Sequence, residues 1–133
     1  MRRLSYGTLA YLVLLTGACE SRRVDAAAAL ADMTTAFNEG TKILRTVTDE
    51  ATAKEAAGWL EPHAKKFEAA ARDFNWSVRR GKSQGDLNAE LQRNFEATMA
   101  FVVETNRVEK IPGAMRHLKP IIDRMDQALQ GED

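Results

Sequence analysis

Cys19 is the only thiol in a chain of 133 residues, and His63 and His117 are the only imidazoles. A lone thiol can attack or accept a covalent group, but it closes no internal disulfide. It also cannot build a zinc or iron–sulfur site that needs two or more thiolates. A carboxylate-bridged di-iron bundle places Glu three residues before each His so that both ligands share a face, and here those positions hold Leu60 and Ala114. His-Glu-x-x-His, Gly-x-Ser-x-Gly and glycine-rich phosphate loops do not occur in the sequence. Asp123 and Asp126 lie a turn apart beside Arg124, the ordinary spacing of a solvated helix face. No catalytic residue, metal ligand or cofactor is expected, and the chain reads as a non-enzyme.

Cys19 gains meaning from what precedes it. Arg2 and Arg3 stand before an apolar stretch, Leu9-Ala10-Tyr11-Leu12-Val13-Leu14-Leu15, which leads to small residues and then the cysteine. From Leu4 to Ala18 this apolar segment is 15 residues long, short of the ~20 that a spanning helix needs, so a cleaved secretory signal fits it better than a membrane anchor. The ending Leu15-Thr16-Gly17-Ala18-Cys19 resembles the lipobox of bacterial lipoproteins. That resemblance implies a cut between Ala18 and Cys19, a diacylglyceryl group on the Cys19 thiol, and a membrane-bound protein of the bacterial cell envelope facing the periplasm or the exterior. Each buried acyl CH₂ is worth ~0.8 kcal/mol, so two or three chains hold a protein to a bilayer where one does not. The expected organisation is a signal at 1–18, a lipidated anchor and short linker at 19–23, and one folded domain at 24–133.

Without residues 1–18 the net charge moves from 0 to −2, because two arginines and no acids are lost. A chain of that charge has no basic footprint for nucleic acid. From Ser21 onward alanine occupies 19 positions, and apolar residues recur every three or four residues, so the spacing predicts helices throughout. Leu30, Met33, Phe37, Gly40, Leu44 and Val47 form one seam. Thr48-Asp49-Glu50 reads as a helix start, and a second seam runs through Ala53, Ala56, Leu60, His63, Phe67, Ala70 and Phe74. Pro62 predicts a kink or break in it. The third helix, about 86–108, is expected to turn Leu87, Leu91, Phe95, Met99 and Val102 inward. The fourth uses Met115, Leu118, Ile122, Met125 and Leu129, kinked or restarted at Pro120. Short connections then predict an all-α, antiparallel up-down four-helix bundle, with a three-helix bundle of broken helices as the alternative.

The run Val47-Thr48-Asp49-Glu50-Ala51-Thr52-Ala53-Lys54 and the turn Ile111-Pro112-Gly113 resemble motifs of small helical bacterial lipoproteins. The resemblance implies no activity. A bundle with Met33 early in helix one is also similar to cytochrome b562, a periplasmic bundle that ligates haem through a methionine and a histidine. His117, however, falls near the start of helix four, where an antiparallel bundle sets it beside Val47. His63 lies ~12 Å from it along the bundle axis. Haem or another small molecule would therefore need an interior gap near His63, Met33 or Met99.

If Cys19 tethers the start of helix one, helix two returns to the membrane. Arg22, Arg23, Trp76, Arg79, Arg80 and Lys82 would then share the membrane-facing end. Basic groups gain ~1 kcal/mol each near anionic lipid, and tryptophan favours the interface. The role expected from all of this is structural, or contact with an envelope protein whose identity the sequence does not carry.

Overall fold

The structure, a computed structural model, describes residues 25–80 and 87–131. Four helices account for nearly all of them: α1 (Ala26–Arg45), α2 (Glu50–Arg79), α3 (Asn88–Glu109) and α4 (Met115–Gln130). Among the described residues there is no strand. Each start and stop has a local cause. The Asp25 carboxylate accepts from the Ala27 N–H at 3.3 Å and begins α1. At α2 the Asp49 carboxylate accepts from the Thr52 N–H at 2.8 Å, while Thr52 Oγ1 accepts from the Asp49 N–H at 3.0 Å, a reciprocal capping box. The turn between α3 and α4 holds Gly113 at φ 78°, and Gly131 at φ 68° ends α4, both in the left-handed region that glycine occupies without strain.

The helices run up, down, up, down, as an all-α four-helix bundle. The paired neighbours are α1 with α2, α1 with α3, and α2 with α4. Side-chain pairs set the directions. Asn94 reaches Thr34 and Arg107 reaches Leu44, so α3 runs parallel to α1. His117 reaches Glu50 and Asn75 reaches Ala128, so α4 runs parallel to α2. α1 and α2 thus form a hairpin, with α3 laid along α1 and α4 along α2.

Three phenylalanines join the first three helices. Phe37 of α1 meets Phe67 of α2 with ring centroids 4.7 Å apart and Phe101 of α3 at 5.3 Å, both tilted. Gly40 makes the second contact possible: a Cβ there would lie 2.8 Å from Phe101 Cε2 and 3.3 Å from Leu60 Cδ1. The α1 seam of Leu30, Met33, Phe37, Gly40, Leu44 and Val47 is buried throughout, as its spacing predicts. In α2 the core position is Ala64 rather than His63, which is only half-buried.

Two further expectations are corrected. α2 and α4 continue through Pro62 and Pro120, so the break or restart expected as one outcome at each proline is absent. Each proline withholds a donor from the carbonyl four residues earlier, on Gly58 or Arg116. Those residues and both prolines are exposed, so water can satisfy the freed carbonyls. In α3 the inward residues are Ala97, Phe101 and Val108, and the expected seam of Leu91, Phe95, Met99 and Val102 faces outward.

The two helical glycines should respond in opposite directions to alanine. Gly40→Ala gains helix propensity but forces Phe101 and Leu60 apart, and overpacking should prevail with a net loss of about 1–2 kcal/mol. Gly58→Ala meets open space and should stabilise by about 0.5–1 kcal/mol. Chemical denaturation midpoints of the two variants check both signs.

Candidate functional site

α2 is 30 residues long and α1 is 20. At 1.5 Å per residue, ~15 Å of α2 therefore extends beyond the start of α1. Trp76, Arg79 and Arg80 lie on this extension, with the Arg80 guanidinium stacked 5.1 Å from the Trp76 ring centroid. The other residues expected beside them, Arg22, Arg23 and Lys82, lie outside the described residues, as do Ala18 and Cys19.

Two further arginines join the group. Arg72, Trp76, Arg79 and Arg80 follow the spacing i, i+4, i+7, i+8 and so share one face of α2. α4 supplies Arg124 opposite them. Between the helices lies an open cleft of about 550 Å³, lined by these residues together with Glu68. Arg124 is already engaged: it donates to Glu61 at 2.7 Å and lies 3.2 Å from the buried Glu68 Oε1. The Glu61 hydrogen bond, only partly offset by desolvation, raises the Arg124 pKa above its ordinary value. Across the cleft, Asn75 Nδ2 donates to the Ala128 carbonyl at 3.4 Å and ties the two walls together. Arg72 could have been found from its spacing on α2. Arg124 could not, because its place depends on the parallel pairing of α4 with α2.

The second feature is the outer face of α3. Leu91, Phe95, Met99, Val102 and Val103 are 46%, 62%, 47%, 41% and 60% exposed. The helix is fastened from its other side. Arg107 donates at 2.7 Å to the carbonyl of Leu44, in the last turn of α1, and at 3.0 Å to that of Val47, in the turn that follows, where the helix dipole favours a cation. Glu104 orients that guanidinium with a 2.7 Å bond to Nε and lies 3.4 Å from Arg45 of α1. The Arg107 hydrogen bond holds the Glu104 carboxyl below the ordinary glutamate range.

The residues weighed as haem ligands are not brought together. His117 approaches Glu50 Oε1 at 3.3 Å at the start of α2, thirteen residues and so ~20 Å along that helix from His63. Met33 is buried in the packed core and Met99 is half exposed. Among the described residues no three His, Cys, Asp or Glu side chains could hold a metal ion, and no helix is long and apolar enough to cross a membrane. Compared with protein-family models, curated proteins and solved structures, the chain matches none.

The Glu104 carboxyl titrates lower in the folded chain than in the unfolded one. Its ion pairs should therefore stabilise above the ordinary glutamate pKa of ~4.3 and be lost as acidification passes through its lowered folded value. Glu104→Gln should make the decline in stability from about pH 6 to pH 3 shallower than in the wild type. Denaturation curves across that range test this, and identical pH slopes would contradict it.

Proposed function

We propose that the chain is a lipid-anchored protein of the bacterial cell envelope, tethered through Cys19, which acts without catalysis by protein contact through the outer face of α3. The observation that carries the contact is the exposed row of Leu91, Phe95, Met99, Val102 and Val103. Together these side chains expose on the order of 500 Å², near the upper end of the largest patches on ordinary monomers. A haem-binding role has no comparable support, since its candidate ligands lie apart.

The occupant that fits best is a second copy of the chain. Two such faces would bury on the order of 1,000 Å², about the threshold for a specific interface. The exposed charges near the row have both signs, Glu96 and Glu109 with Lys110. An interfacial lipid-binding helix has Lys and Arg on its polar face instead, whereas mixed signs can pair across two identical faces. Tethering favours the same encounter, because anchored copies are confined to one surface and already aligned.

Two experiments test the two halves separately. The full chain should fractionate with membranes and incorporate labelled palmitate, and Cys19→Ser should abolish the label; an unlabelled, membrane-free wild type would refute the anchor. Cross-linking in intact cells should trap a dimer, which Phe95→Glu or Val103→Asp removes without loss of helix content. A wild type that stays monomeric at every expression level would overturn the self-contact.

A further inference from the structure

We propose that the cleft between the C-terminal halves of α2 and α4 is a binding site for a phosphate-bearing ligand, either the headgroup of an anionic phospholipid or a soluble organic phosphate. The inference is independent of the α3 contact. The cleft measures about 550 Å³, within the ~300–1,000 Å³ of small-molecule sites. Its walls carry four guanidiniums against the single carboxylate of Glu68. Arg124 is engaged with Glu61 and Glu68, so the unspent charge is that of Arg72, Arg79 and Arg80. None of these three takes part in an ion pair among the described residues.

The competing explanation is that arginines near a helix C-terminus offset its dipole. Arg79 and Arg80 are placed for that at the end of α2, but Arg72 lies two turns earlier, beyond the last turn in which the effect acts. Charge arithmetic points the same way. Four arginines less Glu68 and the Glu61 carboxylate paired with Arg124 leave a formal +2, and the C-terminal ends of α2 and α4 subtract about half a charge each. Roughly +1 remains, the complement of a singly charged phosphodiester such as a glycerophospholipid headgroup, and enough to attract a phosphate monoester as well.

Side-chain chemistry selects phosphate over a simple counterion. Guanidinium forks present paired N–H donors that match two phosphate oxygens, which a lysine ammonium does not. The Arg80 guanidinium lies over the Trp76 ring, 5.1 Å from its centroid, so a ligand held by Arg80 also meets the indole. Gly131 keeps the rim close: a Cβ there would lie 3.3 Å from both Arg79 Nη2 and Asn75 Nδ2. The indole adds an apolar wall suited to the glycerol or acyl portion of a lipid.

Tryptophan fluorescence of the full chain in neutral detergent tests the site. A Trp59→Phe background leaves Trp76 as the only indole, and Trp59 is 56% exposed, so the replacement leaves the core intact. Two probes separate the sources: glycerol 1-phosphate in solution, and mixed micelles carrying phosphatidylglycerol against micelles carrying phosphatidylcholine. Saturable quenching by glycerol phosphate supports a soluble ligand, and a response confined to phosphatidylglycerol supports an anionic lipid headgroup. Arg72→Gln with Arg79→Gln should weaken either response ~tenfold or more, and the lysine pair should recover only part of it. All three residues are exposed, and unchanged circular dichroism would show that the variants fold. Equal responses to the two lipids with none to glycerol phosphate, or binding indifferent to the glutamine pair, would overturn the proposal.

Discussion

The absence of a side chain at Gly40 governs how α3 sits on the hairpin of α1 and α2. Phe101 can lie against α1 only where no Cβ intervenes, and there it reaches Phe37, which in turn meets Phe67 of α2. That contact fixes both the separation of α3 from α1 and its roll about its own axis. With Phe101 inward, Ala97 and Val108 follow at helical spacing, and the row from Leu91 to Val103 must point away. The apolar outer face is thus a geometrical consequence of the core. Moving it inward would withdraw Phe101, and truncating a buried aromatic typically costs ~3–5 kcal/mol.

Polar contacts secure the same arrangement at the far end. Arg107 binds the carbonyls of Leu44, in the last turn of α1, and of Val47 just beyond it, so α3 ends where α1 ends. The α1–α2 turn and the α3–α4 turn then meet: Glu50 lies against Gly113, where a Cβ would come within 2.5 Å of its Oε2, and its Oε1 receives Arg116 at 3.2 Å. The two sequence motifs around Asp49-Glu50 and Ile111-Pro112-Gly113 are therefore two sides of one junction. Capping explains the first and a left-handed turn the second. Their contact explains why a folded chain would carry both.

Much of this was readable in the sequence where one signal acted alone. The α1 seam, the Asp49 cap and the helical nature of the whole domain follow from spacing and capping chemistry, and the packing agrees. α3 misled because it carries two apolar stripes. The outer one holds five large residues, and the inner one holds only Ala97, Phe101 and Val108. Counting hydrophobic residues favours the wrong stripe. The small Ala97 and the gap at Gly40 are what favour the right one, and both are properties of a pair of helices. Pro62 misled for a similar reason: a proline breaks a helix when the freed carbonyl is buried, and that depends on which way Gly58 faces.

The mismatch in helix lengths completes the division between the two surfaces. α2 extends beyond α1 because α1 begins at Ala26, and α4 rather than α1 lies beside that extension. The arginine cleft therefore belongs to the α2–α4 pair, while the apolar row belongs to α3, which packs on α1. A pair of chains joined through α3 would leave both clefts open, since neither α2 nor α4 is extensively packed against α3. Both clefts would also lie at the end where α1 starts, the end nearest Cys19 in the chain. A tether there would hold two electropositive clefts close to a surface whose anionic headgroups carry the charge they complement. One end of the bundle would then meet lipid while its side met protein, with no residue asked to do both.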